Sequence, residues 1–131
     1  MRGARLLHAF ARAEVPRVTV ILRKAYGGAF IAMNSKSLGA SAVYAWPTAE
    51  VGVMYPSGAV EIIHRRRLAE TAEGDRPAVI EDLAREYERG AGGLRRALAC
   101  GYIDDVINPG DTRSVLWSAL ISGRSTAVRS A

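Results

Sequence analysis

The chain has 131 residues, 49% of them hydrophobic, which is the size of one small domain with enough apolar residues for a core. Its single cysteine cannot form an internal disulfide, its charged start lacks an apolar run of signal-peptide type, and no stretch reaches about eighteen consecutive apolar residues. We therefore expect a cytoplasmic protein without a membrane span, and the net charge of +5, carried by scattered arginines with few aromatic neighbours, does not favour nucleic acid.

The first third of the chain predicts a helix, a strand and a second helix. Apolar residues at helical spacing predict a short helix over residues 2–14, with Pro16 as its stop. The β-branched segment Arg17–Leu22 is apolar on both faces, so we expect a central strand of a parallel sheet. Residues 29–39 predict a deeply buried helix, and Gly39 is placed to cap its C-terminus.

The middle of the chain predicts two short strands and a longer helix. The strands are Ala42–Trp46 and Glu50–Met54, and Pro47 breaks the chain between them. A helix then covers residues 56–70, with Ser57 as its N-cap.

The remaining residues are more polar, and we expect mostly helices there. Residues 73–90 predict an exposed amphipathic helix, residues 91–101 a short helix, and residues 102–108 a strand. A last helix spans residues 111–122, and the tail 123–131 is expected to fray. Without an internal sequence repeat or a linker, the chain predicts one α/β unit.

A glycine pair, Gly27 and Gly28, lies between the predicted strand and helix. Such a turn presents unpaired N–H groups at the positive end of a helix dipole, and those of Gly28 and Ala29 could point at one oxygen. Each donor aimed at a developing oxyanion contributes roughly 3 to 4 kcal/mol to a transition state. The alternative is a tight turn that needs a positive φ, whereas a phosphate loop is excluded because no Gly-Lys-Ser/Thr follows.

Polar side chains elsewhere give weaker signals. His8 and His64 lack the spacing of a metal site, so we expect no metal and interpret both as ordinary helix residues. Asp104 and Asp105 are adjacent, so in a strand they point to opposite faces and cannot form an acid–base pair. At least one of them should be structural, for example in a salt bridge.

Three further features have ordinary structural interpretations. Glu50 is read as a strand-end charge, and the run His64–Arg67 as a solvated helix end. Cys100 has no evident activating partner, so we expect a small residue that is buried or lies in an interface.

Longer motifs add a family resemblance. The blocks "VPRVTVILRKAYGGAFIAM", "YAWPTAEVGVM", "GAVEII" and "GYIDDVI" occur in one order between about Gly3 and Leu120. Together they resemble the C-terminal part of the carboxyltransferase β subunit of biotin-dependent acyl-CoA carboxylases, the propionyl-CoA and acetyl-CoA carboxylase group.

The resemblance implies a fold and a set of site residues. The fold is an α/β, crotonase-like (ClpP/crotonase) spiral of ββα turns, here a partial domain. Family members move a carboxyl group from N1 of biotin to the α-carbon of an acyl-CoA. By resemblance, the N–H groups of Gly28 and Ala29 bind the ureido oxygen of biotin, Gly27 shapes the turn, and Ile31 lies in the substrate pocket.

The resemblance also implies partners and a missing part. Residues 1–131 correspond to a C-terminal carboxyltransferase fragment without the N-terminal acyl-CoA-binding domain, so the isolated chain is expected to be inactive. Biotin would arrive on a separate carboxyl-carrier protein, so one expected partner is the biotin carboxylase/carboxyl-carrier subunit. Acyl-CoA is the expected substrate. The chain is also expected to associate with further copies of itself or with an N-terminal carboxyltransferase half. The alternative is a truncated, non-catalytic relative that acts as an assembly or interaction module.

Overall fold

The computed structural model describes residues 2–90 and 93–128. The helices are α1 (Arg2–Arg12), α2 (Gly27–Ala32), α3 (Pro56–Ile63), α4 (Arg65–Glu70), α5 (Arg76–Gly90), α6 (Gly93–Ala99) and α7 (Thr112–Val128), with short 3-10 helices at Lys36–Leu38 and Pro109–Asp111. The strands are β1 (Val18–Ile21), β2 (Lys24–Tyr26), β3 (Ala42–Ala45), β4 (Glu50–Gly52) and β5 (Asp105–Val106). None of the helices in these two ranges is long and apolar enough to cross a membrane.

The strands form two small parallel sheets within the described residues. One sheet has the order β1-β3-β5, and the other pairs β2 with β4. Val18 lies opposite Ala42 in the first sheet, and Tyr26 lies opposite Gly52 in the second. Because parallel pairing aligns the carboxyl ends of paired strands, the chain segments after β2 and β4 meet at one edge of their sheet.

The chain follows a strand–strand–helix path twice, as β1-β2-α2 and then β3-β4-α3. In the second round β3 adds to β1 and β4 adds to β2, both in parallel. The structure therefore repeats a ββα turn. The sequence shows no matching repeat, because the two turns share the path of their backbone and not their residues.

Two apolar clusters hold these elements together. The larger cluster joins the two sheets to α6 and contains Ile21, Ala25, Ala40, Val43, Ala45, Ala49, Val51, Ala97 and Ile103. The smaller cluster joins α3, α4 and α5 through Val60, Leu68 and Leu83. The amphipathic helix expected at residues 73–90 is thus confirmed, since its apolar face packs on this second cluster.

The expectation that residues 17–22 form a central strand is wrong. Among the described strands β1 lies at an edge, and β3 occupies the centre. Apolar residues on both faces of a strand report what covers the sheet above and below, not whether a second strand lies beside it. The pattern therefore could not distinguish an edge from a centre.

The expected buried helix at residues 29–39 is also wrong in length and burial. α2 begins at Gly27, ends at Ala32 and has no buried residue. The chain turns at Asn34, a buried residue with a left-handed φ of 64°, and its side chain bonds to Arg17 and Thr19. Gly39 does cap a helix in the left-handed conformation, but it caps the 3-10 turn.

Other boundaries differ as well. β2 was not expected, since three residues give too short a pattern to detect. The helix expected at 56–70 divides at His64, and Tyr55, not Ser57, is its N-cap because Pro56 occupies the first helical position. The expected strand at 102–108 is only Asp105–Val106.

The two ends of the chain show smaller differences. The first helix ends at Arg12, two residues before the expected end. The last helix continues to Val128, so the expectation of a frayed tail is wrong for residues 123–128, and residues 129–131 lie outside the described part. Residues 91–92 of the expected short helix also lie outside it.

Candidate active site

The glycine turn lies where β2 runs directly into α2. Tyr26 is the N-cap residue in an extended conformation, and its side chain makes no capping hydrogen bond to the helix. Gly27 has a φ of 61°, whereas Gly28 has an ordinary negative φ. The structure thus contains both features that the sequence suggested: a positive-φ glycine, and a helix start whose first N–H groups have no intrahelical acceptor.

A cavity of about 290 Å³ opens beside this turn. Its walls are mainly apolar side chains and glycine backbone, from α2, the 3-10 helix that follows it, the end of β4 and the loop before β5. The lining residues are Gly27, Gly28, Phe30, Ile31, Ser35, Lys36, Ser37, Val51, Gly52, Val53 and Tyr102. Three of the four residues predicted for the site, Gly27, Gly28 and Ile31, therefore meet in one cavity.

Ala29 lies on a different surface. It lines an open groove of about 870 Å³ that follows β1 and β2 and includes Lys24 and Met33. The helical rotation of about 100° per residue explains this separation, because Ile31 comes back toward the face of Gly27 and Ala29 does not. Phe30 lines both spaces.

A polar and aromatic cluster supports the turn from behind. The Tyr26 hydroxyl donates a hydrogen bond to Glu50 Oε2 at 3.2 Å, and its ring contacts the Tyr55 ring with centroids 4.2 Å apart. Lys24 Nζ lies 3.8 Å from Glu50 Oε2 and 5.7 Å from the centre of the Tyr55 ring. Burial, followed by the hydrogen bond to Glu50 and the negative charge of that carboxylate, raises the pKa of the Tyr26 phenol, which therefore keeps its proton to a higher pH than an ordinary tyrosine.

An ion pair lies at the opposite rim of the cavity. Lys36 Nζ donates to both carboxylate oxygens of Asp104, at 2.9 and 3.0 Å, and the Val43 N–H donates to Asp104 Oδ2 at 2.7 Å. The prediction that one aspartate of the Asp104–Asp105 pair is structural is confirmed, because Asp104 links the cavity rim to the central strand.

The remaining candidates do not join the site. No group of three or more His, Cys, Asp or Glu residues within 2–90 and 93–128 could hold a metal ion. His8 is exposed on α1, as expected. In the run His64–Arg67 the three arginines are exposed on α4, whereas His64, between α3 and α4, is only partly exposed. Cys100 is exposed just after α6, so the expectation of burial is wrong, and its alternative, a place in an interface, stays a prediction.

Sequence reasoning missed the Tyr26–Glu50–Tyr55 contacts. Glu50 was interpreted as an ordinary strand-end charge, and Tyr26 received no role. Register supplies the missing information, because β2 and β4 pair in parallel with Lys24 opposite Glu50. A correct assignment of β2 would have placed the tyrosine and the glutamate on neighbouring strands.

Solved structures define the class of the fold. The crystal structure of the transcarboxylase 12S subunit superposes with a TM-score of 0.84 at 43% identity, covering 94% of this chain and 23% of that one. The geranyl-CoA carboxylase β subunit of P. aeruginosa gives a TM-score of 0.72 at 24% identity, over 95% of this chain and 27% of that one, which supports the fold alone. The chain has the α/β, crotonase-like fold that its motifs predict, as a partial domain.

Sequence comparison gives the family. The carboxyl transferase domain matches residues 1–130, and the chain belongs to this family. It is 55% identical to the biotin-dependent acetyl-/propionyl-coenzyme A carboxylase beta6 subunit of Mycobacterium tuberculosis over 119 residues, which is 91% of this chain and 25% of that protein. The chain thus spans about a quarter of the length of the relatives that it matches.

Proposed function

We propose that the chain is the biotin-side half of a carboxyltransferase that transfers a carboxyl group from carboxybiotin to the α-carbon of a short acyl-CoA. The observation that carries this proposal is the cavity at the carboxyl ends of β2 and β4, where Gly27, Gly28 and Ile31 meet. Membership of the carboxyl transferase family supports it. Residues 1–131 are then a C-terminal carboxyltransferase domain fragment that acts in the cytoplasm.

The open space beside the turn supports a role in holding the ureido group of biotin. An added Cβ at Gly28 would have no described atom within 4 Å, so the space in front of this residue is open to a ligand. At Gly27 an added Cβ would lie 3.4 Å from the Val53 carbonyl oxygen, and its positive φ already favours glycine. In this proposal Gly27 shapes the turn, and the N–H groups of Gly28 and Ala29 donate to the ureido oxygen.

The bound biotin supplies the carboxyl group, and the chain supplies orientation and charge stabilisation. Donors that are fixed before the reaction stabilise a developing oxyanion without reorganising, and an apolar cavity strengthens their effect by excluding water. Ile31, which is 48% exposed, presents an aliphatic surface where the acyl group would approach. Its size leaves the length of the acyl chain open within the short acyl-CoA class.

The described residues would form one part of a larger catalytic unit. Relatives are about four times as long as this chain, and apolar side chains of α1, such as Leu6 and Leu7, are exposed. We expect the chain to associate with further copies of itself or with an N-terminal carboxyltransferase half. The biotin carboxylase and carboxyl-carrier subunit would be a further partner.

Light scattering at micromolar concentration checks the expected association. Uncovered apolar surface of this kind favours a dimer, a trimer or a complex with a second chain. A monodisperse monomer that stays folded would contradict this part of the proposal.

A second candidate function is that of a non-catalytic assembly or interaction module. The exposed apolar side chains of α1, such as Leu6 and Leu7, favour it. This alternative needs no ligand at the turn, so binding of biotin separates it from the first.

Amide chemical shifts during a biotin titration test the site. We expect weak binding, at millimolar biotin, with shifts concentrated at Gly28 and Ala29. Shifts spread evenly over the surface, or none at these two residues, would contradict a biotin site and favour the assembly module.

Gly28→Val provides the paired variant, and Gly58→Val is its control. Both glycines lie in the first turn of a helix, and neither has a described atom within 4 Å of an added Cβ. Both variants should fold with similar stability, but only Gly28→Val should abolish the shifts, because valine fills the space in front of the N–H groups. Equal binding by both variants would remove Gly28 from the site.

A further inference from the structure

The Tyr26 side chain is held on three sides. Its hydroxyl bonds to Glu50 Oε2 at 3.2 Å, and one face of its ring contacts Tyr55. Its ring also lies against Gly52, since a Cβ added there would be 3.1 Å from Tyr26 Cε1. The hydrogen bond, the ring contact and the backbone contact together restrict the position of this half-buried residue.

The position that they restrict is the start of the glycine turn. Tyr26 is the N-cap of α2 with φ −125° and ψ 144°, and Gly27 follows it directly. The ψ of Tyr26 sets the plane of the peptide that carries the Gly27 N–H, and this plane sets the direction in which the helix starts. A rotation of the Tyr26 backbone would therefore turn the N–H groups of Gly28 and Ala29 as well.

The charges around Tyr26 are matched to this arrangement. The phenol stays protonated at neutral pH and donates, while the Glu50 carboxylate accepts. Lys24 lies close enough to Glu50 to offset its negative charge, which would otherwise oppose an anion near the turn. The Tyr26 hydroxyl thus keeps its hydrogen bond to Glu50, while the Lys24 ammonium offsets the negative charge of Glu50 that would otherwise act on a ligand at the turn.

We propose that Tyr26 is a positioning residue: held by Glu50 and Tyr55, it fixes the direction of the N–H groups in the Gly27–Ala29 turn. This inference rests on the proposed function for its ligand, but its first test needs no ligand. Tyr26 itself contacts no reacting atom in this proposal.

The ligand-free test compares amide shifts and hydrogen exchange in two tyrosine-to-phenylalanine variants. Tyr26→Phe keeps the ring and removes the hydroxyl, and Tyr44→Phe makes the same change on β3 in the other sheet. We expect Tyr26→Phe to shift the Gly27, Gly28 and Ala29 amides and to change their exchange rates by about two- to tenfold, the range produced by one lost hydrogen bond. Changes no larger than those in Tyr44→Phe would overturn the proposal.

Glu50 variants test whether the hydroxyl acts through its acceptor. Glu50→Gln keeps an acceptor for the Tyr26 hydroxyl and should leave the turn amides near their wild-type shifts, whereas Glu50→Ala should reproduce the shifts of Tyr26→Phe. Combining Tyr26→Phe with Glu50→Ala should add nothing further at the turn, because both remove the same bond. Full additivity at these amides would contradict positioning through Glu50.

The ligand test uses free biotin as the probe. Tyr26→Phe should bind about two- to tenfold more weakly than wild type at equal thermal stability, and Glu50→Gln should restore most of the affinity lost in Glu50→Ala. A residue with a purely structural role would lower stability without this selective loss. If wild type binds no biotin, the proposed function fails, and the amide shifts of the ligand-free variants still decide whether Tyr26 positions the turn.

Discussion

Arg17 links the start of β1 to the loop that follows α2, and its replacement should measure how strongly that loop is held. Its guanidinium donates to Asn34 Oδ1 at 2.9 Å, to the Leu38 carbonyl at 3.0 Å and to the Gly39 carbonyl at 2.8 Å. The backbone N–H of Arg17 also donates to Ser41 Oγ at 3.1 Å. One side chain thus fixes both ends of the segment that carries Ser35, Lys36 and Ser37 along the cavity wall.

The expected loss of stability follows from these bonds. The bonds to Asn34 and Leu38 are partly buried, and each should contribute about 1 to 2 kcal/mol because the donor is charged. The bond to Gly39 is exposed, so water can replace it at little cost. Arg17→Ala should therefore lower the free energy of unfolding by about 2 to 4 kcal/mol, and Arg17→Lys by about half as much, because one ammonium cannot reach all three acceptors.

Urea denaturation of wild type, Arg17→Ala and Arg17→Lys measures these differences, with Arg23→Ala as the control. Arg23 is an exposed arginine just beyond the other end of β1, and its replacement should change the free energy of unfolding by less than about 0.5 kcal/mol. The amides of residues 34–39 should lose hydrogen-exchange protection in Arg17→Ala. A loss below about 0.5 kcal/mol in Arg17→Ala would refute the role assigned to this network.

Two further predictions concern the cluster behind the turn. Gly52→Ala should destabilise the fold by about 1 to 3 kcal/mol in urea denaturation, because its Cβ would meet the Tyr26 ring at 3.1 Å and the Met54 carbonyl oxygen at 3.3 Å, whereas Gly58→Ala should be neutral or slightly stabilising. Equal effects of the two changes would contradict the contact. The free energy of unfolding should also fall as pH rises above about 10, because the raised pKa of the Tyr26 phenol lets the unfolded chain lose this proton first. Tyr26→Phe should reduce that fall, and an unchanged pH profile would contradict the assignment.

The sequence predicted the larger elements because their patterns are long. The amphipathic helix at 73–90 and the strands within 42–46 and 50–54 agree with α5, β3 and β4 apart from their ends. A helix of fifteen residues repeats its apolar face several times, so the period is clear. The glycine turn at the start of α2 was also predicted, because a glycine pair marks a turn, although the strand that runs into it, β2, was not.

The features that escaped prediction depend on contacts between distant residues. α2 ends early because Asn34 is bonded to Arg17 and Thr19, which lie at least 15 positions away in the chain. β2 has only three residues, and its assignment depends on the register with β4. Neither property produces a periodic pattern of apolar residues in the sequence. A prediction from residue propensities therefore extended the α2 helix to Gly39 and assigned Lys24–Tyr26 to a loop.

The pairing of Tyr26 with Gly52 connects the fold to the proposed chemistry. Residues opposite each other in a parallel pair project from the same face of the sheet, and here the Tyr26 ring occupies the space beside Gly52. Gly52 gives the Tyr26 ring this space, and the ring in turn holds the residue from which the Gly27 turn starts. Every residue except proline carries a backbone N–H group, so the choice of side chain does not by itself aim this donor. The direction of the N–H groups in the turn is therefore set by the residues that pack around it. On this reasoning the glycine opposite Tyr26 is as necessary to the site as the glycines of the turn, although it donates nothing to a ligand.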